Sequence, residues 1–438
     1  MNSQPRHEVR GQVEPLPTVG DDRDATVPSV PWYREIGKAQ WMALTMAGLG
    51  WAFESYDSFL LSLTLPVLSK EFHLSSTETG ALLSVTVAGQ IIGGIMFGGV
   101  SDRLGRVRTA MLCVTIYSLF SGLIAVVHSS SMLAAVRFVG ALGMGGTWTA
   151  GATLIVETWP PRWRGRGGAL MQMGLPVGAI LAIGLSALVT VLVGGLEKGG
   201  WRILFALGVL PAVILSFVAR RTPESPMWLQ RRASRVKEEA EGTATLVTIP
   251  PLRNTLLAFA FVFFLQYVYW GVFTWTPTYL VSARHLPFLR SLPFVLALQV
   301  GALAGFLLFA ALVDVFGRRP LFLSYIVIGI AGLVGYVLGP TNLLIFAMFF
   351  TGLSVNGIFG GLGPFIAEML GDVRSRGFLM GLVYNGGRLG GLLAPTVIGV
   401  LASGSAGIAA GFGTTGIAFS LAFVVVLIAP ETRRHVLN

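Results

Sequence analysis

The chain is 438 residues long, 53% apolar and only 12% charged, about half the charged share of a soluble globular protein. That excludes a water-soluble enzyme or scaffold and points to a chain that crosses a bilayer many times. The net charge of +10 is not a nucleic-acid footprint unless the basic residues share a face that could meet one, and here their placement reads as topology.

The first 40 residues, opening MNSQPRHEVR, contain no apolar h-region, so they read as a polar cytoplasmic tail and not as a signal peptide. Apolar runs of 20 or more residues then begin near Trp41, Glu78, Val107, Met132, Gly165, Trp201, Asn254, Leu292, Leu321, Leu343, Gly377 and Ile408. Each can cross a hydrocarbon core of about 30 Å at 1.5 Å per residue. The spacing therefore predicts an all-α membrane protein of twelve transmembrane helices: a bundle over 41–220, a basic linker over 221–252, a second bundle over 253–430 and a short tail over 431–438. With alternate connections assigned to one side, 24 of the 31 Lys and Arg fall with the termini. Five lie opposite (Lys70, Lys198, Arg202, Arg284, Arg290), and Arg137 and Arg388 lie inside spans. Lys and Arg concentrate on the cytoplasmic side of membrane proteins, so both termini are expected there.

Span one holds the segment WAFESYDSFLL, with Glu54 and Asp57 one helical turn apart. A charge at mid-bilayer costs roughly 2.5 kcal/mol or more. Two carboxylates on one helix face disfavour double ionisation, which makes the pair a candidate for loading and releasing a proton. A structural ion pair is the competing reading. Its partner would be Arg137 of span four, at Asp57's depth in an antiparallel neighbour and followed by Gly140, Gly143, Gly145 and Gly146, which permit close helix approach. Arg388 in span eleven lies near mid-depth with no acid beside it in sequence, a natural fork for a substrate carboxylate, unless it is permanently paired with Glu54. Gln90, Gln172, Gln266, Tyr267, Tyr269, Trp270, Asn356, Tyr384 and Asn385 lie at matching depths and complete a candidate substrate cavity.

The chain repeats itself. Asp102 with Arg103 and Arg106 after span two is matched by Asp314 with Arg318 and Arg319 after span eight, an offset of 212 from Asp to Asp; Glu157 is matched by Glu368, and Pro66 by Pro277, each at 211. Such constant offsets indicate two homologous six-helix halves, one of the repeat plans of secondary transporters. The charges at these boundaries form a candidate cytoplasmic gate: Asp102, Arg103, Arg106, Glu157 and Arg164 in the first half, and Asp314, Arg318, Arg319, Glu368 and Arg376 in the second. The one cysteine, Cys113, and five scattered histidines offer no disulfide and no metal framework. No catalytic constellation, cofactor motif or GxxxxGK[ST] phosphate loop occurs.

GGVSDRLGRVR between spans two and three resembles the signature loop of the major facilitator superfamily. PESPMWL at 223–229 and PETRR at 430–434 resemble its sugar and metabolite porters. FESYDSF, RFVGALGMGG, GATLIVETWPPRWRGRGGAL and NGGRLGGLLAP are similar to its proton symporters of organic acids, the sialate, lactate and aromatic-acid groups. The resemblance covers about residues 41–434 and implies the major facilitator fold, no enzymatic activity, and a monomer in the inner membrane. Its partners would be a small organic anion, protons and lipid, with no nucleic acid. It also implies that Arg388 holds the substrate carboxylate, while Asp57 and Glu54 carry the proton and Arg137 faces the Tyr56-Asp57 pair. Where sialate symporters have an acid after the glycine run of span four, this chain has Thr147-Trp148, which argues for a smaller or more aromatic cargo. A sugar or polyol porter, a drug–proton antiporter and a non-transporting membrane sensor are the alternative readings.

Overall fold

In a computed structural model, the described residues are 32–160, 163–230, 232–233, 252–370, 376–404 and 407–430. The tails at 1–31 and 431–438 and most of the linker, 234–251, lie outside them. Residues up to Gly37 form a unit of their own, whose described part carries a four-residue helix, Trp32–Glu35.

Among its described residues, the unit that follows has twelve long helices. In chain order they are α1 (Lys38–Glu71), α2 (Ser76–Leu104), α3 (Arg106–Ile124), α4 (Ser130–Thr158), α5 (Arg166–Val193) and α6 (Leu196–Ala219), then α7 (Leu252–Ala283), α8 (Phe288–Phe316), α9 (Arg318–Leu338), α10 (Leu344–Leu370), α11 (Arg376–Ala402) and α12 (Gly407–Ile428). Ten of them are apolar and long enough by composition to cross a membrane. The other two, α1 and α11, have 34 and 27 residues, and these are the helices that carry Glu54 with Asp57 and Arg388. Their polar load is the mark of a site, because intramembrane charge is retained where it has work to do.

The loops follow from local chemistry. Ser75 caps α2 by accepting from the Glu78 N–H, and the Glu78 carboxylate returns a bond to the Ser75 N–H, a reciprocal capping box. The turn between α2 and α3 passes through Gly105 and that between α8 and α9 through Gly317, at φ +99° and +87°. Only glycine enters that region without a Cβ clash, so the same turn recurs at the same place in each half.

Outward faces remain greasy: Ile95, Val191, Leu192, Phe217, Leu338 and Ile417 are each more than 60% exposed or close to it, as helices bathed in lipid require. Inside, small residues bring backbones together. A Cβ on Gly145 of α4 would lie 1.9 Å from the Gln90 carbonyl oxygen of α2, and one on Gly93 would meet the Leu142 carbonyl at the same distance. Across the halves, α2 packs along α11, α5 along α8, and α1 against α7. The buried space between these pairs positions the site.

Candidate functional site

Among the described residues, three clusters bring charged side chains together in or at the edge of the interior. The first joins α1 to α4. The Asp57 carboxylate pairs with the Arg137 guanidinium and accepts from the Ser121 hydroxyl of α3, while Arg137 Nε donates to Thr86 Oγ1 of α2 at 3.2 Å. Both charged side chains are 2% exposed, so each is compensated mainly by the other. Ser121 reaches Asp57 because α6 offers Gly208 at the crossing, where a Cβ would stand 2.2 Å from the serine oxygen. Five of the six helices of the first half, all but α5, converge on this one pair.

The second cluster is a cavity between the halves. Its walls include Glu54, Ser55, Ser58 and Trp51 of α1, Gln90 of α2, Gln172 of α5, Gln266, Tyr269 and Trp270 of α7, and Tyr384 and Arg388 of α11. Glu54 and Arg388 are each 3% exposed and come from opposite halves. Among the described residues, Glu54 Oε2, Arg388 Nη1, Gln90 Oε1 and Trp51 Nε1 have no hydrogen-bond partner. Leaving such groups unpaired costs about 1–3 kcal/mol each, more when charged, so these atoms are available to water or to a polar guest. The open volume is about 50 Å³, room for a few waters, and a larger guest requires the halves to part. The Arg388 guanidinium carbon lies 5.4 Å from the centre of the Tyr384 ring, whose other neighbour is the Trp148 indole, stacked at 4.1 Å and 9°. Trp148 Nε1 in turn donates to Gln172 Oε1 at 3.1 Å.

The third cluster sits at the helix ends where the basic residues collect. Arg106 is 3% exposed although it opens a helix. Its Nε and Nη2 make a two-pronged bond to Glu157, both at 2.9 Å, and Nη1 reaches Asp102 Oδ1 at 3.0 Å and the Ser101 carbonyl at 2.7 Å. Glu224 accepts from the Arg106 and Val107 N–H groups at the start of α3, an acidic cap where the helix dipole favours one. Ser225 donates to Glu157 at 2.5 Å, and the Trp228 indole donates to the Asp102 carbonyl. In the second half Arg318 meets Glu368 at 2.6 Å, and Arg319 donates to the Leu427 carbonyl. Arg103 projects outward. The side chains of Arg164, Asp314 and Arg376 lie outside the described residues.

Of the residues singled out in the sequence, Glu54, Gln172, Gln266, Tyr384 and Arg388 are brought to one cavity. Tyr267 instead bonds Thr414 at 2.9 Å, Asn356 bonds the Gly352 carbonyl and Asn385 the Gly381 carbonyl, and none of the three is among the cavity walls. Adjacent residues on a helix are about 100° apart, so Tyr267 turns away where Gln266 turns in. Sequence reasoning passed over Ser121, Thr86 and the stacking of Trp148. Glu224 and Ser225 carried a signal, since PESP was visible as a motif without its target.

Long apolar helices around a central cavity with one buried charge from each half are an arrangement suited to a membrane transporter. The chain matches the profile of the Major Facilitator Superfamily over residues 47–340 and 294–438, and it belongs to that family. It is 31% identical over 406 residues to the "Probable 4-methylmuconolactone transporter" of Cupriavidus pinatubonensis, covering 92% of this chain and 93% of that one. It is also 31% identical over 400 residues to the cis,cis-muconate transport protein of Acinetobacter baylyi, covering 89% and 94%. The fold resembles that of the xylose transporter XylE from E. coli in a partially occluded inward-open conformation, with a TM-score of 0.73 at 19% identity over 92% of this chain and all of that one.

Proposed function

We propose that the protein is a proton-coupled symporter of a small organic anion, a monocarboxylate, aromatic acid or sugar acid, working by alternating access as a monomer. The observation that carries this is the placing of Glu54 and Arg388, from opposite halves, on the walls of one buried cavity, each with an atom that has no hydrogen-bond partner among the described residues. Arg388 clamps the substrate carboxylate in a dry site where a charge-assisted bond is strong. The carboxylates of α1 carry the proton: Glu54 meets the cavity, and Asp57, one turn on, governs the hold on Arg137. Gln172, Gln266 and Tyr384 supply neutral polar contacts, and the aromatic walls of Trp51, Tyr269 and Trp270 suit a flat, unsaturated cargo. The names of the two relatives, both transporters of muconate-type molecules, support the substrate class. The ends bearing Arg106 and Arg318 face the cytoplasm, following the excess of Lys and Arg there, and the ion pairs around Arg106 and Arg318 gate that side. A neutral sugar is disfavoured because it offers the Arg388 guanidinium no carboxylate to bind.

The test is uptake of labelled cis,cis-muconate and benzoate into proteoliposomes. An inward proton gradient should drive accumulation, a protonophore should abolish it, and Glu54→Gln should retain only exchange between equal pools. Accumulation that follows a sodium gradient and ignores pH would overturn the reading.

A further inference from the structure

The two halves are held together on the two sides of the cavity by unlike means. On the side away from Arg106, α2 and α11 meet backbone to backbone. Thr77 and Ser403 hydroxyls lie 3.1 Å apart, Ser84 donates to the Leu392 carbonyl at 2.6 Å and lies 2.7 Å from Thr396 Oγ1. A Cβ on Gly80 would stand 2.5 Å from the Pro395 carbonyl oxygen. On the Arg106 side the contact between α4 and α11 is a pair of rings, Trp148 on Tyr384. That stack sits one turn from Arg388, about 6 Å nearer the basic face at 1.5 Å of rise per residue. Trp148 is half-buried, so one edge of the indole already faces out of the packed interior.

We infer that Trp148 is the latch of the basic-face gate: its stack on Tyr384 holds α4 to α11 beneath the cavity, and the two rings must separate for cargo to leave on that side. The indole belongs to the first half and the phenol to the second, so any rocking of the halves that opens this end slides one ring off the other. Tyr384 also stands beside Arg388, so a carboxylate drawn onto Arg388 shifts the ring on which the latch closes. Trp148 does not line the cavity. It is therefore a positioning residue that acts through Tyr384 and Gln172. A ring pair of this kind contributes enough to change an open-to-closed ratio by about two- to thirteen-fold. That is a suitable strength for a gate that opens in every cycle, with the packing of α5 against α8 and α10 supplying the remainder of the closure.

The inference rests on the alternating-access reading of the cavity, but its test needs no substrate. The single native thiol, Cys113, is fully buried, so the parent protein supplies the blank for thiol labelling. A reporter, Ala152→Cys, lies one turn past Trp148 towards the basic face, and a second, Thr77→Cys, marks the opposite end. In purified protein with a maleimide, Trp148→Ala and Trp148→Leu should each raise the labelling rate at Ala152→Cys by about two- to thirteen-fold, and should leave Thr77→Cys unchanged or slower. Trp148→Phe keeps a ring face and should stay near the parent rate. The Leu and Phe variants carry the comparison by themselves if Ala fails a size-exclusion check. Labelling at 152 that is unchanged in the Leu variant overturns the latch. So does a rise at both reporters, which is general loosening, or a Phe variant that behaves like Leu, which would assign the closure to the indole N–H and Gln172. If instead Arg388 proves not to bind an anion, these labelling rates are untouched, so the two failures are distinguishable.

Discussion

Replacing Asp57 by Asn separates the structural from the coupling role of the α1 carboxylates. In wild type the Asp57–Arg137 pair is 2% exposed on both sides. Asp57→Asn keeps the shape and an acceptor for Ser121 but leaves the Arg137 guanidinium buried with Thr86 as its remaining bond partner. Breaking a buried pair by removing one member costs about 3–5 kcal/mol, whereas removing both charges is often close to neutral. Equilibrium unfolding in mixed micelles should therefore show Asp57→Asn and Arg137→Met each destabilised by about 3–5 kcal/mol, while the double variant recovers at least half of the summed loss. Proton-driven accumulation should behave differently. It should be absent from Asp57→Asn and also from the stable double variant, with exchange between equal pools preserved in the latter. A double variant that concentrates substrate would make the pair purely structural. Single variants as stable as wild type would mean that the two charges are not buried against each other at all.

Arg388→Ala should weaken binding of an anionic substrate by roughly thirty-fold or more, since a desolvated carboxylate loses about 2–5 kcal/mol without its cation; Arg388→Lys should recover only part of this in a titration, and equal binding by all three proteins would remove the clamp. Arg106→Ala strips Glu157 and Asp102 of their shared partner and should shift the population towards opening at the basic face by about five- to thirty-fold, read from thiol labelling at Ala152→Cys. Gly145→Ala should destabilise by about 1–3 kcal/mol, because its Cβ would overlap the Gln90 carbonyl. Gly184→Ala, which meets nothing within 4 Å, should be neutral or stabilising by up to about 1 kcal/mol; the reverse ranking in thermal melts would refute the packing argument.

The number and order of the helices were legible because a bilayer admits few solutions: apolar runs of about 20 residues and a one-sided bias of Lys and Arg leave little else to decide. The ion pair of Asp57 with Arg137 was legible for the same reason, since a charge inside a span needs a partner at its own depth. Side-chain direction was not. Gln266 and Tyr267 lie at equal depth, and only the rotation of α7, which is set by packing against α11 and α12, sends one into the cavity and the other to Thr414. Ser121 was invisible because serines are common glue between spans, and its role depends on Gly208, in another helix, leaving space for it. Trp148 stood out as a departure from a motif, but a stack with a residue 236 positions away has no signature in the chain. Glu224 shows the converse, a motif whose target at the start of α3 appears only once the chain is folded.

The repeat itself explains why the working charges are unlike in the two halves. At the duplication offset, Asp57 corresponds to Val268 and Arg388 to Pro176; Val268 is 1% exposed within the apolar core and Pro176 is buried in α5. Had both halves kept the same charges, like would have faced like across the interface, and repulsion in a low dielectric would have held the cavity open in every state. With the acids on α1 and the guanidinium on α11, an empty cavity draws the halves together through Glu54 and Arg388. On the proposed function, a singly charged substrate carboxylate on Arg388 would remove that attraction and leave Glu54 as an excess negative charge, and a proton on Glu54 would remove the excess. Loaded with both or with neither, the site is neutral; loaded with the anion alone, it carries a net charge between packed helices, the condition that burial penalises most. On the proposed function, coupling would follow from electrostatics and need no dedicated mechanical link: the half-loaded states would be the ones that cannot close.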